Sequence, residues 1–341
     1  MVSFSTVLAH NEALKDRPEG LTALFVGPTR GIGLATLRSM AVRLKAPRLY
    51  VVGRSEKQFS PILLELQAAN PAASITFIET DISLVRNADS VAKELLRQES
   101  HLDLLYMSPG YLAFGGPHYT GEGLDTCFVL SHYVRIRIIS LLLPLLHSAR
   151  RPRVLSILAG EHERSLFTKD DDLGLTLDNA RNYNSIRAMD QLTTLHTLAL
   201  NDFASHSPHV AFLHIHPGWV STDFAPNVLS SAGAVSALLN RFLLPIFNLV
   251  ATDEVDSGER QVFHALSRRY LSRDLLCRGE FNADDVASCH VPYSGFYRVL
   301  SNSETVSGGR FLQSLDEEGW AKKAIQFTEQ VIAAALTGGS G

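Results

Sequence analysis

Cysteine is scarce: the 341 residues include three, Cys127, Cys277 and Cys289, odd in number and far apart. They lack the paired spacings of a disulfide framework or a cysteine zinc site, so a reducing compartment, the cytoplasm, is expected. Excess charge is also missing. A formal net charge of −4 provides no basic field to hold a polyanion through many phosphates, so nucleic acid is not an expected partner. Long apolar runs are absent too. Ile138 to Leu146 (IISLLLPLL) and Phe242 to Val250 (FLLPIFNLV) are each broken by a proline and fall well short of the ~20 residues that span a bilayer. Both read as buried helices rather than transmembrane segments, although the second could also line a greasy substrate mouth or touch a membrane surface. The N-terminal MVSFSTVLAHNEALKDR has neither a basic leader nor an unbroken apolar run, and reads as a short capping helix. No Pro/Ser-rich linker, composition break or solenoid repeat divides the chain.

What remains is an ordinary globular composition, 45% hydrophobic and 19% charged, with material for a full core. Short apolar runs alternate with longer helical periods: LTALFVG, RLYVVG, SITFIETD, LDLLYMS, RVLSILAG and AFLHIHPG. Continuous apolar strands separated by helices predict a parallel sheet covered on both faces, a doubly wound α/β fold of Rossmann type. The expected organisation is an N-terminal extension over 1–20, one α/β domain over 21–300 and a C-terminal helix with a flexible tail over 301–341. Within the domain, 224–292 is expected to form substrate-side helices, with helical runs around Leu238 and Val262, followed by a seventh strand near Gly295 to Leu300.

Directly after the first strand comes GPTRGIG, with Gly27, Gly31 and Gly33 where the chain enters a helix, and Thr29, Arg30 and Ile32 between them. Glycines let the backbone approach a pyrophosphate, and the helix N-terminus offers free N–H groups and a positive dipole end. At the end of the second strand, about 20 residues on, a carboxylate would bind the ribose hydroxyls of NAD. Arg54 stands there instead. A guanidinium suits a 2′-phosphate, and Arg30 adds a second cation, so NADP(H) is the expected cofactor; the alternative is two solvated surface arginines.

GPTRGIG with this strand order resembles the short-chain dehydrogenase/reductase family, whose glycine turn has the same GxxxGxG spacing, and the likeness covers nearly the whole chain. The resemblance implies that Asp81 contacts adenine, that Ser108 to Gly110 (SPG) replaces the family's Asn-Ala-Gly with Gly110 at the cofactor, and that Thr222 in HPGWVSTDF binds the nicotinamide carboxamide. It also implies a homo-oligomer, as family members form dimers or tetramers. GFYRV with EEGWAKKAIQFTEQVI is similar to the close of retinol-dehydrogenase-like members. HYVRIRIISLLLPLL and RVLSILAGEHE resemble a fungal branch tied to secondary-metabolite pathways.

The same resemblance marks Tyr183 in YNSIR as the acid or base at a carbonyl, and puts Arg187 where the family has a lysine. An i, i+4 pair shares a helix face, so both could point at the cofactor. Arginine supplies the charge that favours a phenolate, but with a pKa above ~12 it cannot pass on a proton as an ammonium does. The family's carbonyl-polarising serine falls on Ile157, one residue from Ser156. Ser156 works only if a bulge rotates it inward, since neighbours in a strand face opposite ways. The helix asparagine that supports a water-mediated proton path aligns with Ser131.

Three further motifs carry weaker readings. His214 and His216 share a strand face without a third ligand at recognisable spacing, so no metal is expected. Glu161 and His162 follow the fifth strand at the edge where such folds bind ligands, and could exchange protons if the site has drifted; exposed loop residues are the plainer alternative. Asp170 to Asp178 (DDDLGLTLD) reads as a solvated loop, not a calcium site. The leading expectation is an NADP(H)-dependent oxidoreductase acting on a carbonyl or secondary alcohol of a small hydrophobic metabolite. The alternatives are a non-redox isomerase, dehydratase or cyclase on the same scaffold, and a catalytically silent nucleotide-binding protein.

Overall fold

A strand buried on both faces needs side chains that tolerate burial at every position, and TALFV, LLYM, RVLSI and AFLHI meet that condition along their whole length. In the computed structural model these become β1 (Thr22–Val26), β4 (Leu104–Met107), β5 (Arg153–Ile157) and β6 (Ala211–Ile215). The structure describes residues 1–16, 20–110, 116–163, 185–218, 220, 253–279, 281–282 and 285–338. With β2 (Arg48–Gly53), β3 (Ser74–Glu79), β7 (Phe296–Val299) and β8 (Thr305–Val306), the strands form one sheet in the order β3-β2-β1-β4-β5-β6-β7-β8. All pairs are parallel except β7 with β8. Strand order reverses between β1 and β4, which opens a crevice at the carboxyl edge of the sheet.

Alternation along each strand divides the core into two layers. Leu24, Val26, Leu105, Met107, Val154 and Phe212 pack under α4 (Val85–Gln98), α5 (Val134–His147) and α6 (Ser185–His206). Ala23, Phe25, Tyr106, Leu155 and Leu213 pack on the other face, against α2 (Gly31–Arg43), α3 (Glu56–Ala69) and α7 (Glu254–Leu266). The doubly wound α/β architecture expected from the alternating runs is the one observed.

Helices form in the N-terminal segment, around Val262 and at the C-terminus as expected, with packing that the sequence did not indicate. Helix α1 (Phe4–Glu12), expected as an extension, is tied to α7: Asn11 Nδ2 donates to the Glu259 carbonyl at 2.8 Å and to its carboxylate at 2.7 Å. Helix α7 falls in the region expected on the substrate side, yet it lies against the glycine-turn helix α2, so closely that a Cβ on Gly258 would sit 2.7 Å from Ala35 Cβ. Its apolar face, Val262 and Phe263, belongs to the α2 side of the core. Beyond Leu300 the sheet gains β8, and helix α9 (Trp320–Gly338), which follows α8 (Gly309–Glu317), buries Ile332 in the opposite layer. Leu238, the Phe242 to Val250 run, the Asp170 to Asp178 loop and the last three residues lie outside the described residues.

The helical run Thr126–His147, 22 residues long, is apolar enough to cross a membrane by composition, but its most apolar stretch is 67% buried inside the protein. Val134, Ile138, Ile139 and Leu142 are fully buried against the sheet, so it is a core helix. No other helix among the described residues is long and apolar enough to span a bilayer.

Candidate active site at the carboxyl edge of the sheet

The turn after β1 is built around positions that exclude a side chain. Gly27 has φ +77°, and a Cβ there would stand 3.0 Å from the Pro109 nitrogen. At Gly33 a Cβ would meet Ser108 Oγ at 2.5 Å and Pro28 Cα at 2.8 Å. The Ser108 to Gly110 segment therefore packs directly on the glycine turn, with open space beside Gly110. Gly31 opens α2, and its N-cap, Arg30, makes no side-chain capping bond, which leaves the first-turn N–H groups available to an anion. Thr29 and Ile32 flank the turn, both partly exposed. These features fit a dinucleotide pyrophosphate: close-approaching backbone, a bare helix N-terminus and a crevice beside it.

The side of the cradle next to β2 is cationic. Thr29 packs at the end of β2, so closely that a Cβ on Gly53 would lie 2.6 Å from its methyl. Arg30 and Arg54 thus come from touching segments. Both are exposed, and among the described residues neither enters an ion pair. Asp81 is also exposed at the end of β3, where its Oδ1 accepts the Ser83 N–H at 3.0 Å and its carbonyl accepts Asn87 Nδ2 at 2.7 Å.

The reacting end is altered. Tyr183 and Thr222 lie outside the described residues; Arg187 falls in the first turn of α6, with its side chain likewise outside them. Ser156 does not meet its condition for reaching the crevice. The ladder runs without a bulge, Ser156 opposite Met107 and His214, and Ile157 opposite Ile215. Ser156 is fully buried under α5 and α6, where its hydroxyl meets Arg135 Nη1 at 2.5 Å and His196 Nε2 at 2.7 Å. Strand alternation sends it away from the crevice. Ser131 occupies a π-turn (Val129–Tyr133) leading into α5, only 4% exposed, and touches the Cys127 thiol, whose pKa burial pushes up to about 12.

Two sets of contacts escaped the sequence reading. Arg135 is fully buried with its bonds spread over main-chain carbonyls: Nε to Leu130 at 2.9 Å, Nη1 to Ile157 at 2.9 Å, and Nη2 to Pro109. It ties the ends of β4 and β5 to the π-turn, directly under the crevice. Burial lowers its pKa to about 9, and it remains a cation at neutral pH. The signal was an arginine inside the otherwise apolar face of HYVRIRIISLLL. Glu163, Thr197, His214 and Arg298 form the second group. Thr197 Oγ1 donates to Glu163 at 2.6 Å and lies 2.8 Å from His214 Nδ1, while Arg298 Nε donates to Glu163 at 2.8 Å.

His214 and His216 therefore do not act as a pair. His214 is buried beneath α6, whereas His216, just past β6, has its Nδ1 2.6 Å from Glu161 Oε1. His162 stands edge-on to His216 with ring centroids 4.4 Å apart. Among the described residues, donor atoms of Glu161, His162 and His216 lie within 4.8 Å of one another. Burial lowers the pKa of His216, the hydrogen bond to Glu161 raises it, and the neighbouring His162 lowers it again.

A glycine cradle at the switch point of a parallel sheet defines a dinucleotide-binding α/β protein, and comparison with known proteins narrows the class. No family model matches the chain. It is 40% identical to oxidoreductase AN1596 of Emericella nidulans, over 98% of this chain and 99% of that protein, and 36% identical to oxidoreductase lepF of Aspergillus flavus, over 100% and 99%. A short-chain dehydrogenase/reductase of Stachybotrys chartarum, SAT2, is 28% identical over 75% of this chain and 76% of that one. Among solved structures, the KRED1-Pglu enzyme matches with TM-score 0.54 at 15% identity over 72% of this chain and 95% of its own. YwfH, an NADPH-dependent reductase involved in bacilysin biosynthesis, matches with TM-score 0.53 at 16% identity over 73% and 92%. The chain belongs to the short-chain dehydrogenase/reductase family, and it is an enzyme of the oxidoreductase class.

Proposed function

We propose that this enzyme is NADP(H)-dependent and interconverts a ketone and a secondary alcohol in a small hydrophobic metabolite. One observation carries the cofactor choice: Arg30 and Arg54, exposed and outside any ion pair among the described residues, flank the cradle where a carboxylate would select NAD. Gly27, Gly31 and Gly33 with Thr29 and Ile32 would hold the pyrophosphate, Asp81 and Gly110 would line the nucleoside, and Thr222 would meet the nicotinamide. When bound, the cofactor supplies or accepts the hydride. Tyr183 is proposed as acid or base at the substrate oxygen, with the Arg187 charge favouring its phenolate. The likeness of HYVRIRIISLLLPLL and RVLSILAGEHE to the fungal branch supports a place in secondary metabolism.

The test is a fluorescence titration of pure protein with NADPH and NADH, followed by nicotinamide absorbance with acetophenone and α-tetralone. NADPH is expected to bind at least tenfold more tightly, about 1.4 kcal/mol; no NADPH binding defeats the reading. Ile157 at the serine position and the burial of Ser131 favour one alternative, a non-redox enzyme on this scaffold. Product formation without nicotinamide consumption would select it.

A further inference from the structure

Arg187 cannot hand on a proton, and Ser131 is sealed in the π-turn, so the route by which a short-chain dehydrogenase/reductase site would exchange protons with water is interrupted at both positions. The carboxyl edge of the sheet supplies another. Gly160 lets the chain after β5 close over β6: a Cβ there would lie 2.7 Å from the His214 carbonyl carbon, so any side chain would lift the turn away. The turn closes with the Glu161 and His162 N–H groups both donating to the Ala159 carbonyl, at 2.7 and 2.9 Å. Glu161 is thereby delivered to His216. A carboxylate on Nδ1 fixes the imidazole in the tautomer with its proton on Nδ1 and its lone pair on Nε2. His216 keeps 19% of its side chain exposed and Glu161 32%, so the pair reaches from the protein interior to solvent.

We propose that His216, oriented by Glu161, is the proton relay of this active site. The inference rests on the oxidoreductase reading above. In alcohol oxidation the O–H bond breaks and its proton ends on His216 Nε2. The carbinol C–H electron pair leaves as hydride to NADP+, and the C=O bond forms. The imidazolium then loses its proton to water, so that alcohol and NADP+ yield ketone, NADPH and one solvent proton. Reduction runs the same steps backwards. Among the described residues, the titratable groups facing the ring are Glu161 and His162 from the turn after β5, and His214 behind it on β6.

The experiment compares wild type, His216→Ala, Glu161→Gln and His162→Ala. NADPH affinity is read by fluorescence, turnover with acetophenone and α-tetralone, and imidazole titration by NMR of the cofactor-free protein. His216→Ala is expected to bind NADPH as wild type does, to lose about 100-fold in kcat, and to regain activity when imidazole is added to the buffer. In Glu161→Gln the His216 titration and the alkaline-activated limb of alcohol oxidation should both move to lower pH, because the group that raises the imidazole pKa is gone. Activity of His216→Ala equal to wild type would overturn the relay while leaving the oxidoreductase reading intact. So would a loss that imidazole does not rescue together with an unmoved limb in Glu161→Gln, the mark of a merely structural role. Stoichiometric Zn2+ binding abolished by His162→Ala would make the three residues a metal site and also overturn it. A wild type that binds no NADPH or reduces neither ketone fails the underlying reading, and the relay with it.

Discussion

Gly33 shows how much a single hydrogen can decide. Ser108 Oγ and Pro28 Cα already occupy the space a methyl would need, and the second of these is backbone. Gly33→Ala must therefore push the Ser108 to Gly110 segment off the glycine turn. Overpacking of this kind costs about 1–3 kcal/mol, and NADPH affinity should fall with it; a thermal melt and a fluorescence titration check the two effects. Arg54 is the opposite kind of residue, exposed and without structural partners among the described residues. Arg54→Ala should leave the melt unchanged and weaken NADPH by about tenfold, with NADH affected by less than twofold. Equal losses for both nucleotides would mean that Arg54 does not read the 2′-phosphate.

At the scale of elements, the polar seam between the sheet and α6 is held by Glu163 and Arg298. Arg298 on β7 donates through two nitrogens to Glu163, which follows β5, and donates a third bond to the Ser307 carbonyl at 2.7 Å. Both partners are nearly inaccessible, so removing one leaves a buried charge unpaired. Glu163→Ala should destabilise the protein by about 3–5 kcal/mol in urea unfolding. A loss below 1 kcal/mol would show that the carboxylate is hydrated rather than sealed. Ser156 packs in the same layer: a strand without a bulge gives it the same outlook as Val154, toward α5 and α6.

For the whole molecule, four buried histidines set a limit on acid stability. Burial lowers the pKa of His132 and His264 to about 3, and places His196 and His214 well below the ordinary value. A folded pKa below the unfolded value of about 6.5 means that the unfolded chain binds more protons. The stability is complete above pH 6.5 and is lost as pH falls toward the folded pKa. At pH 5 each such histidine costs about 2 kcal/mol, and two of them remove a large part of a typical 5–15 kcal/mol. The melting temperature should therefore drop steeply and reversibly between pH 6.5 and 5. A flat profile over that range would show these rings to be hydrated.

Strand identity, the doubly wound architecture and the glycine cradle were all legible before folding was considered, because they depend on local patterns: apolar continuity, turn chemistry and residue spacing. Arg54 was legible for the same reason, standing at a set distance from the glycine turn at the end of a recognisable strand. Arg135, the Glu163–Arg298 pair and the meeting of Glu161 with His216 were not. Each joins residues far apart in the chain whose proximity exists only once β4, β5, β6 and β7 lie side by side. Sequence alone determined the glycine turn after the first strand and the two cations beside it. Tertiary structure alone decided which polar side chains face the crevice and which are sealed beneath it, because strand register and a close approach at Gly160 set Ser156 under α5 and α6 and bring His216 to a carboxylate.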